Sequence, residues 1–197
     1  MIFIDFLTLL LINMSAGFII LAAYVFRGLD DENQPRWSLG FFPVGLIALI
    51  FGGYIAMYWP LPGQFNAAYG DMSVLFGVIF LFAGLGMAMR WKLSVIAAYA
   101  FPAGVGAIVV GIQIWMLQIT KSPALTAAGF VLSRLAGVCA FPTTTILRNQ
   151  MNWRLLAAAV LLLVALIWMV TAYAGIVAHM SGFKAWMPQI LEMSQAK

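Results

Sequence analysis

The feature that most constrains the fold is a succession of long apolar stretches separated by short polar segments. Of the 197 residues, 64% are hydrophobic and only 8% are charged, and the mean hydropathy is +1.03. A soluble domain carries charge on about a quarter of its residues, so this chain has too little polar surface to cover a water-soluble body. The composition therefore predicts an integral membrane protein, with the lipid bilayer as its first partner.

The pattern within the apolar stretches decides between the two kinds of membrane-spanning structure. Backbone groups in lipid must be hydrogen-bonded within the protein, so only helices and closed barrels cross a bilayer. Barrel strands alternate apolar and polar residues, whereas these stretches are continuously apolar. We therefore predict an all-α protein, a single polytopic domain that forms a bundle of six transmembrane helices. The predicted helices cover about residues 2–26, 41–58, 72–89, 93–120, 124–147 and 152–179.

The tail, residues 180–197, is not predicted to cross the membrane. Its apolar residues recur at helical spacing on one face, which is typical of a short helix lying in the membrane interface. These residues are Phe183, Trp186, Met187, Ile190 and Leu191.

Basic residues in the predicted loops indicate the orientation. The first, third and fifth loops contain Arg27, Arg36, Arg90, Lys92, Arg148 and Arg154, whereas the opposite side carries Lys121, Lys184 and Lys197. Because basic residues accumulate on the cytoplasmic side, we expect a protein of the cell (inner) membrane with both termini outside. The net charge of +4 follows this loop bias and does not argue for a nucleic-acid partner.

Residues typical of catalysis or cofactor binding are scarce. His179 is the single histidine, so two axial histidines for a haem are not available, although a methionine could be the second ligand. Asp30, Asp31 and Glu32 are adjacent in a polar loop without His or Cys nearby, and we expect them to cap a helix end rather than to bind metal. Nucleophile elbows and phosphate-binding glycine loops are also missing. We predict a non-enzyme without cofactor or metal; a membrane-embedded enzyme is the less favoured alternative.

Arg134 is the most unusual single residue. It lies about ten residues into the predicted fifth helix, roughly 15 Å below the membrane surface. A charge at that depth is costly, and it is usually paired or functional. Two interpretations remain open: a structural ion pair with Asp5 or Asp71, or a position in an outer vestibule whose electrostatics Arg134 sets.

The segment Trp59–Gly86 carries the most specific residue order. Its first half is a loop broken by two prolines and a glycine, and its second half is the predicted third helix. Phe76 and Phe80 are four residues apart and therefore share one helix face. Together with the small residues Ser73 and Gly77 they could form an aromatic constriction, or they could be ordinary packing.

The residue order in four short segments resembles a domain-of-unknown-function family of small archaeal and bacterial membrane proteins. The segments are Gly28-Leu29-Asp30-Asp31, Arg36-Trp37, Trp59 to Gly63 and Asn66 to Gly77. The resemblance covers most of the chain and implies the fold, but it implies no activity.

A more distant resemblance is to the amide/urea channel family, which has a similar length, six helices and both termini outside. Its third helix reads Y-G-x-x-x-G-L-L-F-G, to which Tyr69-Gly70 and the segment from Ser73 to Ala83 are similar. The resemblance implies that Phe76 and Phe80 line a pore constriction. The chain lacks the family's fifth-helix tryptophans, its sixth-helix glutamate and its periplasmic histidines, and these departures argue against urea selectivity.

Two functions remain in competition. The first is a homo-oligomeric channel or facilitator for a small neutral solute such as an amide, urea or ammonia. Its candidate pore or binding residues are Phe76, Phe80, Ser73, Gly77, Arg134, Asp71 and Asp5. The second is a non-catalytic accessory subunit of a larger membrane enzyme complex.

Overall fold

A computed structural model of the protein describes residues 5–182. Within that range it contains six helical segments long and apolar enough to cross a membrane, and no β-strand. The prediction of an all-α, six-helix polytopic protein is confirmed. The interfacial helix predicted in the tail lies outside the described residues, except for residues 180–182, which continue the last helix.

The six α-helices follow one another with short connections. They are α1 (Phe6–Ala23), α2 (Pro35–Tyr58), α3 (Met72–Ala88), α4 (Ser94–Leu117), α5 (Pro123–Thr144) and α6 (Met151–Gly182). Two π-helical segments extend them: π1 (Tyr24–Gly28) continues α1, and π2 (Asn66–Asp71) leads into α3.

The helices form a closed ring in chain order. Each helix packs against the preceding and the following one, and α6 packs against α1. Because the connections are short, neighbouring helices are antiparallel. The α1–α2, α3–α4 and α5–α6 connections therefore lie at one end of the ring, which we call the basic end after the arginines and lysines there. Contacts are extensive within the α2–α3 and α4–α5 pairs and sparser between α3 and α4 and between α5 and α6.

Two helix starts differ from the sequence-based prediction. α2 begins at Pro35 rather than at about residue 41, because proline suits the first turn of a helix and here begins the helix instead of breaking it. Asn66–Asp71 is helical rather than part of the loop. The Asn66 side chain holds the preceding turn, since it donates to the carbonyls of Leu61 and Gly63 and accepts from the Leu61 amide.

α2 and α3 approach each other through glycines. A methyl group at Gly45 would lie 2.2 Å from the backbone nitrogen of Leu81, and one at Gly77 would lie 2.6 Å from the backbone nitrogen of Leu49. Backbone atoms cannot turn aside as a flexible side chain can. The close contact between these two helices therefore depends on the absence of side chains at both positions, as in other small-residue helix contacts in membranes.

A buried arginine ties α6 to the end of α1. Arg154 is 5% exposed and donates from Nε to the Val25 carbonyl at 2.8 Å and from Nη2 to the Phe26 carbonyl at 2.7 Å. It also forms an ion pair with Asp30, which Arg148 contacts at 3.2 Å. The prediction that the acidic triplet caps a helix end is wrong for Asp30, because these two arginines, at and just before the start of the neighbouring α6, reach its carboxylate.

The stability of this network is expected to depend on pH. The hydrogen bond from Arg154 lowers the pKa of Asp30 most strongly; burial opposes it, and Arg148 adds to the lowering. Because the pKa is lower in the folded than in the unfolded chain, the stabilisation is complete above about pH 4 and is lost as the pH falls through the folded value. We expect the melting temperature in detergent to fall below about pH 4. The Asp30→Asn variant should melt earlier at neutral pH and change less on acidification; an equally steep pH dependence in both proteins would refute this assignment.

Candidate functional site

A cavity of about 350 Å³ lies inside the ring, and we call it the chamber. All six helices contribute to its wall. The wall runs from the middle of the ring, at Phe18, Phe76 and Arg134, to the basic end, at Leu93 and Trp153. The chamber therefore occupies the half of the helix ring nearer the basic end.

A second cavity of about 430 Å³ adjoins the chamber at the basic end, and we call it the vestibule. The two cavities share the residues Tyr24, Leu29, Met87, Leu93 and Thr144. The vestibule has a polar wall, and its charged residues are Asp31, Glu32, Arg90, Lys92 and Arg148. At the basic end, a charged cavity thus adjoins an apolar one.

The chamber has an aromatic wall. Phe76 and Phe80 are 3% and 4% exposed, and their rings stack with centroids 4.3 Å apart. Phe18 of α1 lies 5.6 Å from the Phe76 ring, and Phe41 of α2 lies 5.1 Å from the Phe80 ring. A methyl group at Gly17 would lie 2.9 Å from Cζ of Phe76, so the bare backbone of α1 makes room for the rings. The structure places both predicted phenylalanines in the chamber wall.

The small residues predicted beside them lie elsewhere. A methyl group at Gly52 of α2 would lie 2.7 Å from Cβ of Ser73, and Gly77 faces Leu49 of α2. Ser73 and Gly77 therefore belong to the contact between α2 and α3. Asp71 is exposed at the end of the ring opposite the basic end. The structure does not bring these three residues to the chamber.

Asp5 joins the start of α1 to the end of α6. Its Oδ2 lies 2.5 Å from Nδ1 of His179, and its Oδ1 accepts from the Thr8 amide at 3.2 Å. Burial alone would raise the pKa of Asp5, but the hydrogen bonds from His179 and Thr8 outweigh it and hold the pKa below its ordinary value. The expectation that Asp5 pairs with Arg134 is wrong, since closure of the ring places His179 beside it.

Arg134 lies in the chamber wall and is 5% exposed. Its guanidinium carbon is 5.9 Å from the centre of the Phe130 ring, and its Nε has no hydrogen-bond partner. Among residues 5–182, no acidic side chain forms an ion pair with it, so the pairing with Asp71 is not found either. The chamber that Arg134 lines leads to the basic end of the ring. Whether that end faces the outside, as the predicted outer vestibule requires, stays a prediction.

An aromatic layer lies within the ring beyond Arg134. It consists of Tyr69, Phe130 and Trp168, with ring centroids 5.5 Å apart for Tyr69–Phe130 and 5.3 Å apart for Phe130–Trp168. All three are buried, and Trp168 donates from Nε1 to Ser133 Oγ at 2.8 Å. The layer lies between the chamber and the end of the ring opposite the basic end.

The contribution of α4 to the chamber was missed in the sequence. Four small residues of α4 line it: Ala97, Ala100, Ala103 and Gly104. The alanines are three residues apart, and Gly104 lies four residues after Ala100. This spacing marks one helix face, so a signal was present. It was not recognised because a stripe of small residues in a membrane helix more commonly indicates close packing.

Within the described part of the chain, no three His, Cys, Asp or Glu side chains come together as a metal site would require. Residues 1–182 match a protein family that is described as "Protein of unknown function (DUF981)". No curated protein and no solved structure matches the chain. These comparisons add nothing to the distant resemblance to the amide/urea channel family.

Proposed function

The chain belongs to the DUF981 family of proteins of unknown function, as the residue order predicted, and from its geometry we propose that it is a membrane facilitator for a small solute. One observation carries the proposal: the vestibule and the chamber form adjoining cavities that lead from the basic end to the middle of a closed helix ring. Such a path selects its cargo by diameter and by the few hydrogen bonds that its wall can replace. In this proposal the aromatic layer is the gate in its closed state.

The residues that line the chamber indicate which kind of solute suits it. Its wall is almost entirely apolar. Urea has hydrogen-bonding groups on every side, and each would lose its partners in water without replacement, at a cost of about 1–3 kcal/mol per group. A solute with an apolar body and a single polar group suits the chamber better, and a short-chain amide is closer to this description than urea or ammonia.

The remaining expectations do not depend on the chamber and stay predictions. They are the homo-oligomer, the cytoplasmic position of the basic end, and the alternative of an accessory subunit in a larger membrane complex. The native mass of the gently solubilised protein would distinguish a homo-oligomer from an accessory subunit. An accessory subunit would purify at a fixed ratio with a larger partner.

The gate can be tested with Phe130→Ala, which removes the central ring of the aromatic layer. Phe82→Ala is the matched control, because Phe82 is 50% exposed on the outer surface of the ring. We expect Phe130→Ala liposomes to take up acetamide several times faster than wild-type liposomes, and Phe82→Ala liposomes to match the wild type. Stopped-flow light scattering gives both rates. Equal rates in both variants, with each protein eluting as the wild type does, would remove the aromatic layer from the path.

A further inference from the structure

Arg134 is a buried cation without a counter-charge among the described residues. It lies near the middle of α5, with about ten residues of helix on either side. A guanidinium in apolar surroundings is costly unless an anion or several acceptors approach it. The Phe130 ring face supplies only a weak cation–π contact at 5.9 Å. The wall of the chamber therefore carries a strong and unused site for an anion.

The other hydrogen-bonding side chains of the wall, the Cys139 thiol aside, already have partners within the protein. They are Tyr24, Ser133, Thr143, Thr144 and Trp153. Tyr24 donates to Gln34, for example, and Trp153 donates to Thr143 at 2.9 Å. Arg134, in contrast, forms no hydrogen bond within residues 5–182, and its Nε is fully buried. A polar group entering the chamber can thus gain most at the terminal nitrogens of the guanidinium.

The geometry of the guanidinium favours a planar oxyanion. Its N–H groups form a fixed fork that matches the two oxygens of a carboxylate, and hydrogen bonds between charged groups are about twice as strong as neutral ones. Arg90 and Lys92 of the vestibule form no ion pair among the described residues, whereas Arg148 is paired with Asp30. The two unpaired cations attract anions to the entrance. The acids Asp31 and Glu32 share that wall, so the attraction is a local one near Arg90 and Lys92.

The size of the chamber limits the rest of the molecule. A cavity of about 350 Å³ is within the range of small-molecule sites, about 300–1,000 Å³. It has room for a single medium-length alkyl chain with its carboxylate. The apolar wall between Arg134 and the basic end, which includes Phe80, Ala97 and Leu161, suits such a chain.

We infer that the solute of the chamber is a medium-chain monocarboxylate, whose carboxylate pairs with Arg134 and whose alkyl chain lies along the apolar wall. The inference rests on the proposed function, because it names the class of solute for the same cavity. It replaces the expectation of a neutral cargo with an amphipathic anion, since the unpaired guanidinium is the strongest feature of the wall.

The test compares octanoate with octanamide, which has the same chain and size but no charge. Binding is measured by titration calorimetry on the full chain in phosphatidylcholine nanodiscs, with empty nanodiscs subtracted. We expect the wild type to bind octanoate about tenfold or more tightly than octanamide. Arg134→Gln should reduce octanoate affinity to that of octanamide and leave octanamide unchanged. Arg27→Gln, which removes an equal charge from an exposed position outside both cavities, should bind both ligands as the wild type does.

The outcomes separate the inference from the proposed function. If the wild type binds both ligands equally, or Arg134→Gln keeps the preference for octanoate, the inference is overturned while the chamber remains a solute site. If the wild type binds neither ligand, the chamber takes up no such solute, and the proposed function loses its support as well. The wild-type comparison needs no variant, so it decides the matter even if Arg134→Gln does not fold.

Discussion

Replacing Gly45 by alanine is expected to force α2 away from α3 and to destabilise the protein by about 3 kcal/mol. The added methyl group would lie 2.2 Å from the backbone nitrogen and 2.6 Å from Cα of Leu81, and neither atom can move without the helix that carries it. For a chain of this length, the loss corresponds to a fall in melting temperature of roughly 6–12 °C. Thermal unfolding in detergent, followed by tryptophan fluorescence, measures it.

Gly53→Ala is the matched control on the same helix. A methyl group at Gly53 would meet only the flexible end of Met57, at 4.0 Å. Alanine is favoured over glycine in a helix by about 1 kcal/mol, so this variant should melt at the same temperature as the wild type or slightly higher. The two substitutions are chemically identical and are expected to have opposite signs. If both variants changed the melting temperature by the same amount in the same direction, α2 and α3 would not be in close backbone contact.

The second large effect is expected for Arg154→Leu, at about 3–5 kcal/mol of lost stability. The substitution leaves the carbonyls of Val25 and Phe26 without their donor and removes the buried partner of Asp30. These groups lie where α1 passes into the α1–α2 connection. We therefore expect earlier thermal unfolding together with faster proteolysis of that connection in the detergent-solubilised protein.

Arg36→Leu serves as the control for the loss of an arginine at the same end of the ring. The Arg36 side chain is 59% exposed, so its ion pair with Asp31 has one solvent-exposed member, and Asp31 also accepts from Trp37 and from the Asn33 amide. Such pairs contribute at most about 1 kcal/mol, so the melting temperature should change little. If Arg36→Leu were as damaging as Arg154→Leu, burial and the two carbonyl contacts would not be the source of the effect.

The helix class, the number of spans and the shared face of Phe76 and Phe80 followed from the sequence alone. Each of these properties depends on neighbours within about four residues or on the composition of one stretch, and both can be read along the chain. The start of α2 was misplaced because proline at a first turn and proline as a breaker have the same local sequence.

The partners of the charged residues were decided only by the tertiary structure. Asp5 contacts His179 across 174 positions of sequence, and Arg154 contacts Asp30 across 124. The same closure leaves Arg134 in the chamber without an acidic partner among residues 5–182.

The sequence therefore determined that the chain crosses a membrane as six helices and that one arginine is buried among them. The tertiary structure decided what faces that arginine and to which end of the ring its cavity leads. The physical reason is that a stretch enters the membrane because its own residues are apolar, whereas a cavity is the space left between several helices. Its shape depends on where six separate helices come to rest.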